Sequence, residues 1–187
     1  MGNYVNPGNS GFSGIKNDTY IDKTGLISLI NQSIDTPRRL TCISRPRRFG
    51  KSFAAQMLCA YYDKTCDSSA LFDNLAIGSD TQYRKHLNQY DVIYLDMTGV
   101  IGETDITEIV PYIKRNVTRE LKAAYPDIEI VEGFASTLIH GVEAAGNRFI
   151  MIIDEWDAPI REARNNPQAQ RDYLEFLRSL FKNSSAT

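Results

Sequence analysis

The sequence predicts an α/β fold, a parallel sheet flanked by helices, and three observations predict it. Short apolar or β-branched runs stop abruptly at polar or charged residues: Leu40-Thr41-Cys42-Ile43-Ser44, Val92-Ile93-Tyr94-Leu95 and Arg148-Phe149-Ile150-Met151-Ile152-Ile153. Between these runs lie longer stretches whose apolar residues recur at helical spacing. The last run is continuously apolar instead of alternating, as expected of a strand covered on both faces by crossover helices. A length of 187 residues, 42% hydrophobic and 24% charged, suits one domain with a sizeable core.

Each element follows from local pattern. Residues 1–14 hold four Gly, three Asn, two Ser and one Pro, the composition of a flexible lead, so order is expected from Ile15 and a single domain over 15–187. Residues 20–23 read as extended, and Thr24 opens a helix carrying Leu26, Ile27, Leu29 and Ile30. Residues 40–44 read as the first buried strand. Residues 51–64 contain neither Gly nor Pro, and a helix there sets Phe53, Met57, Ala60 and Tyr61 on one face. Ile106, Ile109, Val110, Ile113, Val117 and Leu121 mark a further helix, which Pro111 is expected to kink. Phe134, Leu138 and Val142 suggest a helix before the third strand. Tyr173, Phe176, Leu177, Leu180 and Phe181 form a broad stripe on the last one, read as core or as a sticky face where further strands should pack.

Composition excludes some functions. A formal net charge of −2 gives no whole-chain footprint for nucleic acid, and only the segment around Arg45 to Lys51 is locally basic. No run of about 20 apolar residues is present to span a membrane, and the start lacks a charged-then-apolar leader, so the cytoplasm is the expected compartment. Cys42, Cys59 and Cys66 are odd in number and lack C-x-x-C spacing, so they read as reduced, mostly buried thiols. His86 and His140 stand apart from other ligand residues and read as structural, with no zinc site expected.

The chemistry is concentrated in two places. Arg45-Pro46-Arg47-Arg48-Phe49-Gly50-Lys51-Ser52 matches G-x-x-x-x-G-K-[ST] at seven of eight positions, with Arg45 where the first glycine stands. Between a strand and a helix, such a loop aims successive backbone N–H groups and the positive helix end at a phosphate. Arg47, Arg48, Phe49, Gly50, Lys51, Ser52 and Phe53 are therefore the candidate nucleotide-binding residues, with Lys51 reaching the β and γ phosphates and Ser52 holding Mg²⁺. Arg45 is tolerable because the donors come from the later loop positions. A solvated basic turn, or a nucleic-acid or sorting patch over Arg45 to Arg48, are the competing readings.

The second place is Asp154-Glu155-Trp156-Asp157, delivered at the end of the most apolar run. Asp154 is expected to hold the Mg²⁺ that Ser52 also holds, and Glu155 to polarise a water for attack on the γ phosphate, making Glu155 and Lys51 the catalytic candidates. Asp96 also ends a strand but precedes Met97 and is given a supporting place. Asp157 either orients water or caps the next helix. Arg161 and Arg164 face phosphates, a neighbouring subunit or solvent.

Taken with Tyr20-Ile21-Asp22-Lys23-Thr24 and Leu71-Phe72, and with Asp154-Glu155-Trp156-Asp157-Ala158-Pro159-Ile160, the loop resembles the bacterial AAA-ATPase-like family from about residue 11 to 183. The resemblance admits arginine at the first loop position. It implies a P-loop ATPase domain that uses ATP and Mg, often followed by a PD-(D/E)-x-K nuclease-like domain, through which alone nucleic acid would be met. It also implies two more strands beyond the acid pair. The chain is thus expected to be a partial core that binds nucleotide weakly, with hydrolysis in the full-length context. In such ATPases a segment before the first strand lies against the base, making Tyr20, Asp22 and Lys23 candidates for that contact or for plain packing.

Overall fold

The computed structural model describes residues 2–18, 20–44 and 49–182. Where the sequence reads as one domain over 15–187, tertiary contacts divide the chain into two units, Asn6–Val92 and a second made of Gly2–Val5 with Ile93–Thr187.

In the first unit, α1 (Ser10–Lys16), α2 (Gly25–Asn31), α3 (Lys51–Tyr62), α4 (Ser69–Phe72), a 3₁₀ turn (Ala76–Ser79) and α5 (Tyr83–His86) follow one another. From Ala54 onward α3 is buried almost all round, through Ala55, Met57, Leu58, Cys59, Ala60, Tyr61 and Tyr62, so it is a central core helix. Phe53, expected on its buried face, is instead 56% exposed. Phe12 of α1 is fully buried and stacks on Phe72 at 5.0 Å, with Tyr61 edge-on to Phe72. Order therefore begins well before Ile15: the Gly- and Asn-rich composition of residues 2–14 is offset by partners far along the chain. The buried amide of Asn31 joins two tyrosines, donating to the Tyr61 hydroxyl at 3.1 Å and accepting from Tyr62 at 2.8 Å. This satisfies polar groups that would otherwise be costly inside a core.

Residues 40–44 do not form the expected buried strand. They run in irregular backbone, with Leu40 at 58% exposure, Ile43 at 38% and Cys42 also exposed. A β-branched run becomes a strand only by pairing, and among the described residues the ladder consists of β1 (Asp91–Asp96) and β2 (Phe149–Asp154) alone.

The chain passes into the second unit within β1, which pairs in parallel with β2. Helices α6 (Met97–Glu103), α7 (Ile109–Ala124), α8 (Phe134–Ala145), α9 (Ala158–Glu162) and α10 (Pro167–Lys182) flank this pair, making a small α/β arrangement, with a 3₁₀ turn at Ala163–Asn165. α7 buries Ile109, Ile113, Val117 and Leu121, one face of a regular helix. Pro111 falls in its first turn, where backbone N–H groups have no intrahelical acceptor, so the expected kink has no cause. Tyr173, Phe176, Leu177 and Leu180 of α10 join the unit's core, while Phe181 is 47% exposed. Gly141 of α8 lets that helix close on β2: a Cβ there would meet the Phe149 ring at 3.0 Å. β2 is less buried than its continuous apolar run suggests, since only Phe149 and Asp154 are fully covered.

Residues 2–5 belong to this unit. Val5 bridges Ile93 antiparallel, and the Glu120 carboxylate of α7 accepts from the backbone N–H groups of Asn3 (3.1 Å), Tyr4 (2.8 Å) and Val5 (2.8 Å).

Candidate functional site

The candidate loop residues lie in the first unit. Gly50 occupies the N-cap of α3 with φ of +72°, a left-handed conformation that costs a side-chain-bearing residue but not glycine. Its carbonyl accepts from Ala54 N–H at 3.0 Å, closing the first turn. Lys51 and Ser52 are the first two helical residues; Lys51 is half-buried, and Ser52, Phe53 and Phe49 are exposed. Gly50 has no side chain with which to cap this N-terminus, and a helix N-terminus is the kind of end that attracts anions. Arg47 and Arg48, with Arg45 and Pro46, lie outside the described residues.

Beside these loop residues, residues 20–24 form a fixed strap. Asp22 accepts from the Thr24 amide (2.8 Å), the Thr24 hydroxyl (2.7 Å) and Ala76 N–H (2.7 Å). Burial pushes its carboxyl up, but these bonds outweigh burial and hold it below its ordinary value. Thr24, fully buried at the N-cap of α2, accepts from Ile77 N–H at 3.0 Å. The Lys23 ammonium donates to the Phe49 carbonyl at 3.0 Å.

The candidate acids lie in the second unit. β2 ends in Asp154, buried to 7% exposure, whose carboxylate accepts from Glu155 N–H at 3.0 Å. Glu155 takes φ of +50°, uncommon for a non-glycine residue and found where surrounding structure enforces it. Its carboxylate pairs with the Arg161 guanidinium at 3.2 Å, and Arg161 also holds Asp157 one helical turn away. Asp157 does occupy the N-cap position of α9, but its side chain makes no capping bond and goes to Arg161 instead. Asp96 is the N-cap of α6, accepting from Thr98 (3.0 Å) and Gly99 (3.2 Å), and Arg164 is exposed on the 3₁₀ turn. The Tyr173 hydroxyl donates to the Trp156 carbonyl at 2.7 Å, fixing the turn after the acid pair.

Sequence reasoning missed two contacts. The Asp157–Arg161 spacing of four residues signals a helical ion pair, so Arg161 was findable by that rule. The grip of Lys23 on Phe49 spans a tertiary contact that no local pattern announces. Among the cysteines, Cys42 is exposed, Cys59 buried and Cys66 partly buried, so burial is not general.

A family profile described as predicted AAA-ATPase matches residues 8–186, and the chain belongs to this AAA-ATPase-like family. An uncharacterized protein in the vnfD 5' region of Azotobacter chroococcum mcd 1 is 26% identical over 166 residues, which make up 87% of this chain and 30% of that protein. The chain thus spans about 30% of the length of that curated relative. No solved structure matches this chain.

Proposed function

We propose that this domain binds Mg-ATP and, in the full-length context, hydrolyses it to ADP and phosphate. The carrying observation is Gly50, left-handed at the N-cap and followed directly by Lys51 and Ser52 at the head of a 12-residue helix. That arrangement, in a member of a predicted ATPase family, supports a phosphate cradle. Lys51 would draw charge from the β and γ phosphates, with Arg47, Arg48, Phe49, Gly50 and Phe53 completing the nucleotide contacts.

Ser52 and Asp154 offer hard oxygen ligands of the kind Mg²⁺ takes, and the Asp154 carboxylate is buried with one hydrogen bond from its neighbour's amide. Magnesium, when bound, would neutralise charge on the phosphate oxygens. Glu155 would orient a water and take its proton. The Arg161 guanidinium on the Glu155 carboxylate favours a second reading, a nucleotide-dependent switch that binds ATP without hydrolysing it. A nucleic-acid module resting on the basic loop is disfavoured by the net charge of −2. No described helix is long and apolar enough to cross a membrane, and we place the protein in the cytoplasm.

Thermal unfolding with and without Mg-ATP tests the binding. At about a hundred times the dissociation constant, ligand adds about 2.7 kcal/mol to the native state. The midpoint should rise, and Lys51→Ala should remove the rise. An unmoved midpoint in the wild-type chain sinks the reading. Glu155→Gln separates enzyme from switch: it abolishes turnover while sparing binding in the first, and changes nothing in the second.

A further inference from the structure

The run Tyr20-Ile21-Asp22-Lys23-Thr24 has no part in the chemistry above, yet it is tied down on several sides. The Tyr20 hydroxyl reaches Met57 Sδ of α3 at 3.4 Å and accepts from Lys23 N–H at 3.3 Å. Asp22 and Thr24 fasten the same strap to Ala76 and Ile77, with Thr24 fully buried. From this base, the exposed Lys23 side chain extends to the Phe49 carbonyl, its hydrogen-bond partner among the described residues.

We infer that Lys23 is a positioning residue of the phosphate loop, setting the plane of the Phe49–Gly50 peptide; this rests on the ATP-binding reading. The peptide is planar and trans, so its C=O and N–H point in opposite directions. An ammonium that draws the Phe49 oxygen to one side turns the Gly50 N–H to the other. Gly50 permits this orientation through its positive φ, and by lacking a Cβ, which would lie 2.7 Å from Lys23 Nζ. The strap presets one donor of the cradle before a triphosphate arrives, so binding does not have to fix that peptide afresh. A charged donor on a carbonyl is also stronger than a neutral one, suiting it to hold a backbone plane.

Calorimetric titration of Mg-ATP into the 187-residue chain, with Lys23→Met, Lys23→Arg and Lys51→Ala beside it, tests the inference. Lys51→Ala should abolish binding. Lys23→Met should weaken it about tenfold, the cost of ordering one peptide afresh on binding, with a ligand-free unfolding midpoint that falls by less than the lost affinity corresponds to. Lys23→Arg should restore most of the affinity, since a guanidinium still donates to the carbonyl. Wild-type affinity in Lys23→Met, with none in Lys51→Ala, overturns the role of Lys23 and leaves the ATP site standing. A lowered ligand-free midpoint with unchanged affinity makes Lys23 merely structural and also overturns it. Absence of Lys51-dependent binding in the wild-type chain overturns the ATP reading and this inference together.

Discussion

Arg161 and Glu155 show how one side chain can govern another. Their pair is partly exposed, with side chains at 40% and 23% exposure, so it is worth under about 1 kcal/mol. Breaking it on the way to the transition state would slow hydrolysis by about fivefold at most. Arg161→Ala should therefore raise single-turnover hydrolysis by up to about fivefold, with an unfolding midpoint close to wild type. A fall in rate would instead make Arg161 an aid to Glu155. A second residue-scale effect concerns His86, buried at 3% exposure, with Nδ1 bonded to the Tyr90 hydroxyl at 2.6 Å and Nε2 lacking a hydrogen-bond partner among the described residues. Burial, helped by Lys85, lowers its pKa below the ordinary histidine value, against the opposing pull of Asp35 and Asp80. The unfolded chain then binds the proton more readily. This contribution is fully present above the ordinary histidine value near 6.5 and is lost as pH falls through the lower folded value. Denaturant unfolding between pH 7.5 and 5.5 should show stability falling by up to about 1.4 kcal/mol per pH unit, and His86→Phe should flatten that slope. At this scale the candidate residues could be named from sequence because the loop motif and the acid pair are each written in consecutive letters. The pairing of Arg161 with Glu155 and of Lys23 with the Phe49 carbonyl could not, because a turn and a tertiary contact bring them into place.

Among the elements, periodicity served well where a helix or strand is long and one-sided. The α7 face was readable from the spacing of Ile109, Ile113, Val117 and Leu121, and β1 and β2 from their apolar runs. The short helices α4 and α5, of four residues each, carry too few positions to show a period. Residues 40–44 misled because strand propensity is a preference for a pleated neighbour, and composition cannot say whether one is there. Residues 2–14 misled for the converse reason: their anchors, such as Glu120, lie far away in sequence. That carboxylate serves three backbone donors, two of them through one oxygen at 2.8 Å. Glu120→Ala should strand these amides and cost about 1–3 kcal/mol, read as a lower denaturant midpoint and as faster hydrogen exchange at Tyr4 and Val5. Unchanged exchange there would mean that the bridge to Ile93 alone holds the segment.

For the whole molecule, the sequence read as one domain because nothing in its composition marks a boundary at Val92, where the chain changes unit in mid-strand. The division also gives the chain an unusual order of events. Asn6–Val92 sits as an insertion between Gly2–Val5 and the rest of the second unit. During synthesis, residues 2–5 emerge well before their partners Ile93 and Glu120; Val5 and Glu120 are separated by 115 positions. Closing so long a loop is slow relative to local folding. On the ribosome the inserted unit can take shape while residues 2–5 trail unpaired, so a segment made before the inserted unit is finished only after it.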